Sequence, residues 1–468
     1  MAVASSSAGP EGKAQRDTPS RILLDLEGYI ADCSNATTAW SKTSTGVPIS
    51  VSFCISRPPV LSHFFVHSPG LDLAALPVPP KAICSDADLV LLRVPLDPDA
   101  RSSQWHSDYF VYTMHPRRPK LDLLPNPCPA RFADDEIAVL SCGGGGGGYV
   151  VAGLKVPAFE LHLYRSVGAK PGTTRRWTIQ KVSMPAPVRD TACPVPDSAE
   201  NQMFHTTAKT IAIGGEGGTV GWVDLWRGIL LCDLLSPESP PKLRDVPLPP
   251  PARGNWENFL NHHRPCFYRD VAVVGDRRET IKYVEMEIAP PEHVPVFPCM
   301  PEPATFTEWV NRQNQEECEQ PESYTFVPGS WTATTYSLPI PVGSWEDWRR
   351  DSCLRLGDLK LPGEDARCYK LMQKLVSSSV GQEQEDAEAT TLSLGYLNMA
   401  YPTIGGDGDE DTIYLMSKGT YRGSMAAVVS VDVKAGTLQG VAKLESQMHA
   451  GFKRCCLASE ISKYTRIW

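Results

Sequence analysis

The chain has 468 residues, of which 42% are hydrophobic and 21% are charged, so it can bury a large core. Its formal net charge is −9 and its basic clusters are short, such as Arg117, Arg118 and Lys120, which disfavours a nucleic-acid partner. The 14 cysteines form no Cys-x-x-Cys pair, which disfavours a zinc ribbon and favours a reducing compartment.

The first 20 residues, MAVASSSAGPEGKAQRDTPS, are small and polar without an apolar core, so we expect residues 1–20 to be disordered and not a secretory signal. Their Ala and Ser content suits a chloroplast transit peptide, but Glu11 and Asp17 argue against one. No apolar run approaches the ~20 residues of a membrane helix. The sequence predicts a soluble monomer in the cytoplasm and/or nucleus, with no membrane partner and no cofactor.

Short apolar runs rich in β-branched and aromatic residues follow one another along the chain, separated by turns that contain many of its 42 prolines and 36 glycines. Such runs are typical of β-strands. Examples are ISVSFCI (49–55), LVLLRV (89–94), YFVYTM (109–114), FELHLY (159–164), ILLCDLL (229–235), IKYVEMEI (281–288) and AAVVSVDV (426–433).

A loose repeat joins these runs. The order of strand, turn and shorter strand recurs after YFVYTM, FELHLY, ILLCDLL and AAVVSVDV, and another pair of strands lies upstream of each. Four antiparallel strands repeated around an axis form a β-propeller, which hides its sheet edges. The units recur at roughly 40–50-residue spacing, which is the spacing of propeller blades, and the sequence therefore predicts an all-β fold. We expect a single β-propeller domain of about six four-stranded blades over residues 21–468.

Two insertions are predicted to be surface helices, at about residues 301–320 and 364–380. In the second, Cys368, Leu371, Met372 and Leu375 recur with helical spacing, so one apolar stripe should dock the helix onto the sheets. The acidic residues that follow, within 381–388, are interpreted as a solvated linker.

The stretch GWVDLWRGILLCDLL (221–235) holds two tryptophans, two aspartates, an arginine and a cysteine. We interpret it as strand, turn and return strand, with Asp224 accepting hydrogen bonds from turn amides and Gly228 supplying a positive φ. The return strand is apolar on both faces, as expected for a strand between two neighbouring layers. Gly228→Val is therefore expected to impair folding, whereas Arg227→Ala should leave stability nearly unchanged.

The same stretch resembles the signature of a grass-enriched plant family known as domain of unknown function 1618, with a signature region at 220–365. Further matching motifs are RDVAVVGDRRETIKYVEMEI (269–288), WTATTYSLPIPVGSWEDWRRDSCLRL (331–356) and, nearer the N-terminus, LLDLEGYIADCSNATTAW (23–40), VSFCISRPPVLSHFFVHSPG (51–70) and ICSDADLVLLRV (83–94). The family resembles the kelch-like domains that follow F-boxes, which implies a propeller and no established catalytic residues. We expect no F-box before Leu23.

Local motifs predict neither a catalytic nor a metal site. The glycine runs 143–148 and 214–221 precede strands and not helices, so they do not fit phosphate or dinucleotide loops. In a calcium loop that starts within GGDGDEDT at Asp407, Thr412 stands where glycine is needed and Lys418 stands where glutamate is needed. His63 and His67, or His262, His263 and Cys266, could bind zinc, but strand spacing and Pro265 argue against it.

Two functions stay open. The first is a non-catalytic protein–protein interaction module in regulation or stress response, with Trp226, Arg227, Trp345 and Trp348 as exposed contacts; the alternative is that the tryptophans are core residues. A sharper variant is a ubiquitin-ligase substrate receptor recruited through another chain. The second is a hydrolase or carbohydrate-binding propeller, whose central-channel carboxylates would come from the set Asp25, Asp86, Asp88, Asp224 and Asp270.

Overall fold

The structure is a computed structural model that describes most of the chain. The described residues are 19–69, 78–96, 107–126, 132–143, 148–156, 158–167, 176–185, 187–236, 241–296, 304–313, 323–363, 366–377, 394–405, 411–419, 425–444 and 452–465. Most of the segment predicted to be disordered, up to residue 18, and the whole acidic stretch 381–388 lie outside these residues.

The described residues are mostly β-strand, arranged in several four-stranded sheets, which confirms the prediction of an all-β chain. Sheet 1 comprises β2 (Tyr29–Ile30), β3 (Ala39–Lys42), β4 (Pro48–Cys54) and β5 (His63–His67). Sheet 2 comprises β6 (Lys81–Asp86), β7 (Leu89–Pro95), β8 (Ser107–Thr113) and β9 (Lys120–Leu124). Sheet 3 comprises β10 (Ile137–Ser141), β11 (Tyr149–Lys155), β12 (Glu160–Arg165) and β13 (Thr178–Lys181).

The remaining sheets continue in chain order. Sheet 4 comprises β14 (Lys209–Gly214), β15 (Thr219–Asp224), β16 (Gly228–Asp233) and β17 (Leu243–Pro247). Sheet 5 comprises β18 (Arg269–Val274), β19 (Thr280–Ala289), β22 (Ser330–Pro339) and β23 (Arg349–Arg355). Sheet 6 comprises β24 (Leu397–Ile404), β25 (Thr412–Gly419), β26 (Ala426–Asp432) and β27 (Thr437–Lys443). Two pairs complete the set: β1 (Ile22–Asp25) with β28 (Cys456–Ser459), and β20 (Glu292–Val296) with β21 (Ser323–Val327).

Consecutive strands pair antiparallel in sheets 2, 3, 4 and 6, so each is built from local hairpins. Sheet 5 differs because the β20–β21 hairpin is inserted between its second and third strands. Sheet 1 contains one parallel pair, β2 with β5. Strands β7, β8, β12, β16, β19 and β26 overlap the apolar runs 89–94, 109–114, 159–164, 229–235, 281–288 and 426–433 that predicted them.

Neighbouring sheets share hydrophobic clusters. One cluster lies at each junction from sheet 1 to sheet 6. A further cluster, with Leu23, Met416 and Cys455, joins sheet 6 to the terminal pair β1–β28. The first strands contact one another in the same order, from β6 through β10, β14 and β18 to β24, and β28 contacts both β24 and β6. The pair β1–β28 therefore lies between the first and the last sheets.

The return strand β16 shows why its sequence is apolar on both faces. Leu230 and Cys232 pack in the cluster shared with sheet 3, whereas Ile229 and Leu231 pack in the cluster shared with sheet 5. Outer strands are far more accessible, and every residue of β13 is exposed. Burial on both faces thus marks strands with a neighbouring sheet on each side.

The described residues include four short α-helices beside the sheets: α1 (Arg189–Ala192), α2 (Trp256–Leu260), α3 (Phe306–Gln313) and α4 (Arg367–Ser377). Helix α3 lies within 301–320 and α4 within 364–380. Met372, Leu375 and Val376 of α4 are buried in the cluster between sheets 5 and 6. Among the described residues, no helix combines the length and the apolar character needed to cross a membrane.

Trp222→Ala is expected to lower the free energy of unfolding by about 3–5 kcal/mol. The Trp222 ring is fully buried between sheets 3 and 4, and its indole N–H donates to the Glu136 carbonyl oxygen at 2.9 Å. Urea denaturation followed by circular dichroism measures the loss. Trp40→Ala is the matched control, since Trp40 is 58% exposed and its replacement should change stability by about 0.5 kcal/mol at most. Equal losses would contradict the assigned junction.

Candidate functional site

The turn between β15 and β16 is built around Asp224. Its Oδ1 accepts hydrogen bonds from the amides of Trp226 and Arg227 at 3.0 and 3.3 Å, and its Oδ2 accepts one from the Thr206 amide at 3.1 Å. This is the acceptor role that the sequence predicted for Asp224. Burial raises the pKa of Asp224, whereas Arg189 and the amide donors act to lower it. The turn is therefore fixed by a buried acceptor.

Gly228 is not among the described glycines with positive φ, so the predicted reason for this glycine is wrong. The structure gives a different reason. A Cβ atom at Gly228 would lie 2.7 Å from the Val246 carbonyl oxygen and 3.0 Å from the Pro247 Cα on the neighbouring strand β17. Close approach of two backbones, and not an unusual dihedral angle, requires glycine here.

Arg227 lies in the interior, 2% exposed, and not on the surface as proposed from the sequence. Its Nη1 donates to the carbonyl oxygens of Gln202 and Met203 at 3.0 and 3.1 Å, and its Nη2 pairs with Asp190 at 2.7 Å. Arginine is suited to this position because its planar fork can satisfy several acceptors at once. Arg227 thus ties the turn to the segment that precedes sheet 4.

Trp226 is also buried, 3% exposed, which agrees with the core alternative for this tryptophan. Its indole N–H donates to the His263 carbonyl oxygen at 2.9 Å, and its ring packs against Phe259 and Tyr268. The guanidinium of Arg269 lies 4.8 Å from the centre of the same ring. A cation over an indole face is attracted by the ring quadrupole. Trp226 therefore joins the turn to helix α2 and strand β18.

Arg269 is fully buried and forms an ion pair with Glu285, with 2.8 Å between Nη2 and Oε1. Its Nη1 donates to the carbonyl oxygens of Leu225 and Trp226, both at 3.0 Å. Burial lowers the pKa of Arg269, but Glu285 outweighs this effect and the net shift is upward. This pair was not among the residues predicted from the sequence. Its signal was Glu285, a charged residue inside a strand between the buried apolar residues Val284 and Met286.

Glu285 completes the network from the acceptor side. Its Oε1 also accepts from the Ala252 amide at 3.0 Å and from Asn255 Nδ2 at 2.9 Å, and its Oε2 accepts from the Tyr283 hydroxyl at 3.1 Å. Burial raises the pKa of Tyr283 well above its usual range, so the hydroxyl stays protonated as a donor. The buried carboxylate is thus hydrogen-bonded on both oxygens, as such groups require.

A third buried arginine, Arg189, lies beside the turn. Arg189 pairs with Asp245 through Nη2 and Nε, and its Nη1 lies 3.0 Å from His205 Nδ1. Since arginine can only donate, His205 Nδ1 accepts and its Nε2 donates to Thr207 Oγ1 at 3.1 Å. Burial, and then the charges of Arg189 and Arg227, hold the pKa of His205 well below its usual range. The imidazole is therefore neutral at physiological pH.

Trp345 and Trp348 are half-buried and pack against the cluster between sheets 4 and 5. The Trp348 indole N–H donates to the Pro247 carbonyl oxygen at 3.0 Å, and its ring centre lies 6.1 Å from that of Tyr283. These two are the more accessible of the four tryptophan and arginine candidates. Their role in partner contact stays a prediction.

Large apolar side chains are exposed on the segments that the buried network holds. Met203 is 61% exposed and Phe204 is 64% exposed, directly after the carbonyl groups that Arg227 binds. Trp256, at the start of α2, is 53% exposed. Gln202 Nε2 donates to the Phe259 carbonyl oxygen at 3.1 Å and so links the two segments. We call Met203, Phe204 and Trp256 the apolar rim.

A central cavity of about 540 Å³ lies where the first strands of the sheets meet. Of the channel carboxylates considered from the sequence, Asp86 and Asp270 line it, whereas Asp25, Asp88 and Asp224 are not among its lining residues. Asp86 pairs with Arg278 at 2.5 Å, and Asp270 pairs with Lys209 at 2.7 Å.

Sequence reasoning missed the other charged residues of the cavity wall because they come from separate sheets. The basic ones are Arg21, Lys81, Arg93, Lys209, Arg264, Arg278, Lys453 and Arg454, and the acidic ones are Glu27, Asp134, Asp135 and Glu460.

Other motifs take structural roles where the structure describes them. Gly214, Gly215 and Gly218 have positive φ in the turn between β14 and β15. Of the acidic GGDGDEDT stretch, only Gly405, Asp411 and Thr412 are described, and Asp411 pairs with Lys282 at 2.5 Å. Residues 144–147 of the long glycine run lie outside the described residues. Within the ranges that are described, no three or more His, Cys, Asp or Glu side chains form a group that could hold a metal ion.

The fold and the turn define an all-β protein built from repeated four-stranded antiparallel sheets. Residues 222–414 match the model of the family described as "Protein of unknown function (DUF1618)", which supports assignment to the DUF1618 family. The match begins at Trp222 and includes the turn, the Arg269–Glu285 pair and all of sheet 5. It extends beyond the signature region 220–365 expected from the sequence.

No curated protein matches the chain. One solved structure with detectable similarity is a GH43_1 enzyme from Xanthomonas citri complexed with xylotriose. It is 11% identical, with a TM-score of 0.25, and the alignment covers 57% of this chain and 85% of that one.

Gly228→Ala is expected to lower the free energy of unfolding by about 1–3 kcal/mol, because the added Cβ forces β16 away from β17. The matched control is Gly357→Ala, since a Cβ at Gly357 meets nothing within 4 Å and its φ is not positive. Thermal and urea unfolding of the two variants make the comparison. Equal stability of the two variants would contradict the close approach at Gly228.

Arg227→Ala is expected to lower the free energy of unfolding by about 1–3 kcal/mol, since two carbonyl groups lose their donor in a buried site. This replaces the expectation of unchanged stability, which assumed an exposed side chain. Arg355→Ala on the outer strand β23 is the control, because Arg355 is exposed. If urea unfolding gave the same midpoint for Arg227→Ala and the wild-type chain, the buried role of Arg227 would be refuted.

Proposed function

We propose that the chain is a six-bladed β-propeller that acts as a non-catalytic protein–protein interaction module. The blade assignment is supported by the six four-stranded sheets and the hydrophobic cluster at each successive junction. The cluster joining sheet 6 to β1 and β28 would close the ring, with strands from both chain ends in the closing blade. Closure of this kind removes sheet edges that would otherwise pair with other chains.

The observation that carries the interaction proposal is the apolar rim above a buried polar network. Phe204 and Trp256 are more than half exposed, yet their segments are held by Arg227 and Glu285 from below. Exposed aromatic side chains on a rigid support can bind a partner with little loss of conformational entropy. Aromatic and arginine residues also dominate interface hot spots. In this proposal Trp226 and Arg227 position the contact surface and do not form it.

The hydrolase or carbohydrate-binding alternative is less well supported. Hydrolysis of a glycosidic bond uses two carboxyl groups, one of which must exchange a proton. Asp86 and Asp270 are each held by a basic partner, Arg278 and Lys209. A carboxylate engaged in such an ion pair is not free to contact a glycosidic oxygen. The ion pairs therefore favour binding over catalysis.

The proposal also covers the origin, the family kinship, the cellular location and the biological role of the protein. A plant origin and a kinship with kelch-like F-box-associated domains are supported by the family resemblance. A cytoplasmic and/or nuclear location fits the scattered free cysteines. A role in regulation or stress response, including the substrate-receptor variant, follows from the interaction proposal and requires identification of the partner.

The test is affinity purification of the tagged full-length chain from grass tissue, followed by quantitative mass spectrometry. We expect a reproducible set of partners that is lost with Phe204→Ala and with Trp256→Ala. Trp40→Ala and Phe306→Ala are the controls, since both aromatic rings are exposed elsewhere, at 58% and 79%. All four variants should unfold at the wild-type urea concentration.

Partners retained by all four variants would show that the apolar rim is not the contact surface. A lone monomer without partners would contradict the interaction proposal and shift weight to a small-molecule role.

A further inference from the structure

The cavity wall has a charge opposite to that of the whole molecule. Eight basic and six acidic side chains line the cavity, while the complete chain carries a formal net charge of −9. Low-dielectric walls concentrate the field of charges that they surround. Solubility does not explain an excess of positive charge on the wall of a cavity in a protein whose net charge is negative.

One end of the cavity is saturated with ion pairs. Arg278 follows β18 and pairs with Asp86 at 2.5 Å and with Glu460 at 3.0 Å. Arg21 pairs with the other oxygen of Glu460 at 2.9 Å and donates to the Val273 carbonyl oxygen at 3.1 Å. These charges satisfy one another at the ends of the first strands. An anion that bound Arg21 or Arg278 here would compete with Asp86 or Glu460 for the same charge.

The opposite end lies where the first strands begin, and two of its arginines differ from the rest. Lys81 and Arg93 pair with Asp134, Lys209 pairs with Asp270, and Lys453 pairs with Glu27. Arg264 and Arg454 form no ion pair or side-chain hydrogen bond with any other described residue.

Packing holds the segments of these two arginines together. Phe267, three residues after Arg264, lies 5.9 Å from Phe452, two residues before Arg454, measured between ring centres. Tyr401 of β24 packs on both rings, at 5.0 and 5.4 Å. Both guanidinium groups act to lower the pKa of the Cys266 thiol, which burial raises. The two arginines therefore flank the same part of the wall.

Asp135 lies close enough to Arg454 for the two charges to interact. Asp135 is accessible from the cavity but lies in a concave wall, and partial burial raises its pKa although Lys81 and Arg454 act to lower it. It forms no ion pair within 4 Å among the described residues. Two guanidinium groups without ion pairs of their own among the described residues have donor capacity for an incoming anion.

We propose that this end of the cavity binds a small oxyanion, a molecule bearing phosphate or several carboxylate groups, through Arg264 and Arg454. The planar guanidinium fork matches both phosphate and carboxylate oxygens. The volume of about 540 Å³ lies within the usual range for small-molecule sites. The site is independent of the apolar rim, so it stands or falls separately from the protein-interaction proposal.

Isothermal titration calorimetry on the full-length protein tests the proposal, with sodium pyrophosphate and citrate as separate probes at matched ionic strength. We expect saturable binding at one site for at least one probe. Arg264→Gln and Arg454→Gln should each weaken it by about tenfold or more, since each removes a charge-assisted contact. Arg355→Gln, on an exposed outer strand, should bind as the wild type does.

The preference between the probes identifies the ligand class: phosphate if pyrophosphate binds alone, polycarboxylate if citrate does, and any oxyanion if both do. Absence of saturable binding by either probe would overturn the proposal. So would binding that Arg264→Gln and Arg454→Gln leave unchanged.

A second measurement locates the ligand without any substitution. Cys266 lines the cavity and is half-buried, whereas Cys353 is exposed on β23 outside it. A saturating probe should slow alkylation of Cys266 by N-ethylmaleimide and leave the rate at Cys353 unchanged, as followed by peptide mass spectrometry. Equal rates at Cys266 with and without a bound probe would place the anion elsewhere and refute the assignment.

Discussion

The buried Arg269–Glu285 pair is the constraint on which the geometry of the family-matched region depends. Arg269 is 0% exposed and Glu285 2%, so neither charge can be hydrated if the other moves away. An unpaired buried charge costs several kcal/mol, and the pair is tolerable only when its remaining donors and acceptors are also satisfied. Those partners come from the β15–β16 turn and from the loop at Ala252 and Asn255. The position of both segments is therefore fixed by the needs of one ion pair.

Hydrophobic contacts and buried hydrogen bonds have different roles in this region: the first stabilise the fold and the second fix the positions of the segments. The hydrophobic clusters between sheets contribute most of the stability, but apolar contact is not directional and permits small shifts. The hydrogen bonds of Arg227, Arg269 and Glu285 are directional, and breaking one leaves a buried group unsatisfied. They hold the segments of Phe204 and Trp256 in one position. A surface of exposed aromatic side chains needs such support, since a mobile one would lose more entropy on binding.

The periodic features of the fold were predictable from the sequence, whereas the site was largely not. The continuous apolar run of β16 predicted that both faces of this strand are buried. Asp224 was predictable as a turn residue because aspartate commonly accepts hydrogen bonds from turn amides. The burial of Arg227 could not be foreseen because its acceptors are carbonyl groups 24 and 25 residues away and the side chain of Asp190. The reason predicted for Gly228, a positive φ, was wrong. The close approach of its backbone to β17 is visible only when the position of β17 is known. Long-range backbone contacts leave no local pattern.

The cavity extends the same argument to the centre of the molecule. Its wall includes residues from the first strands of sheets 2, 4, 5 and 6 and from the segments before β10 and β28, so charged residues far apart in sequence, such as Lys81, Lys209 and Arg454, converge there. Convergence of like charges destabilises a fold unless counter-charges or a ligand offset it. At the Arg278 end, Asp86 and Glu460 provide the counter-charge. At the Arg264 and Arg454 end the described residues provide only part of it, and a bound oxyanion would supply the remainder, raising the stability of the folded chain in proportion to its occupancy.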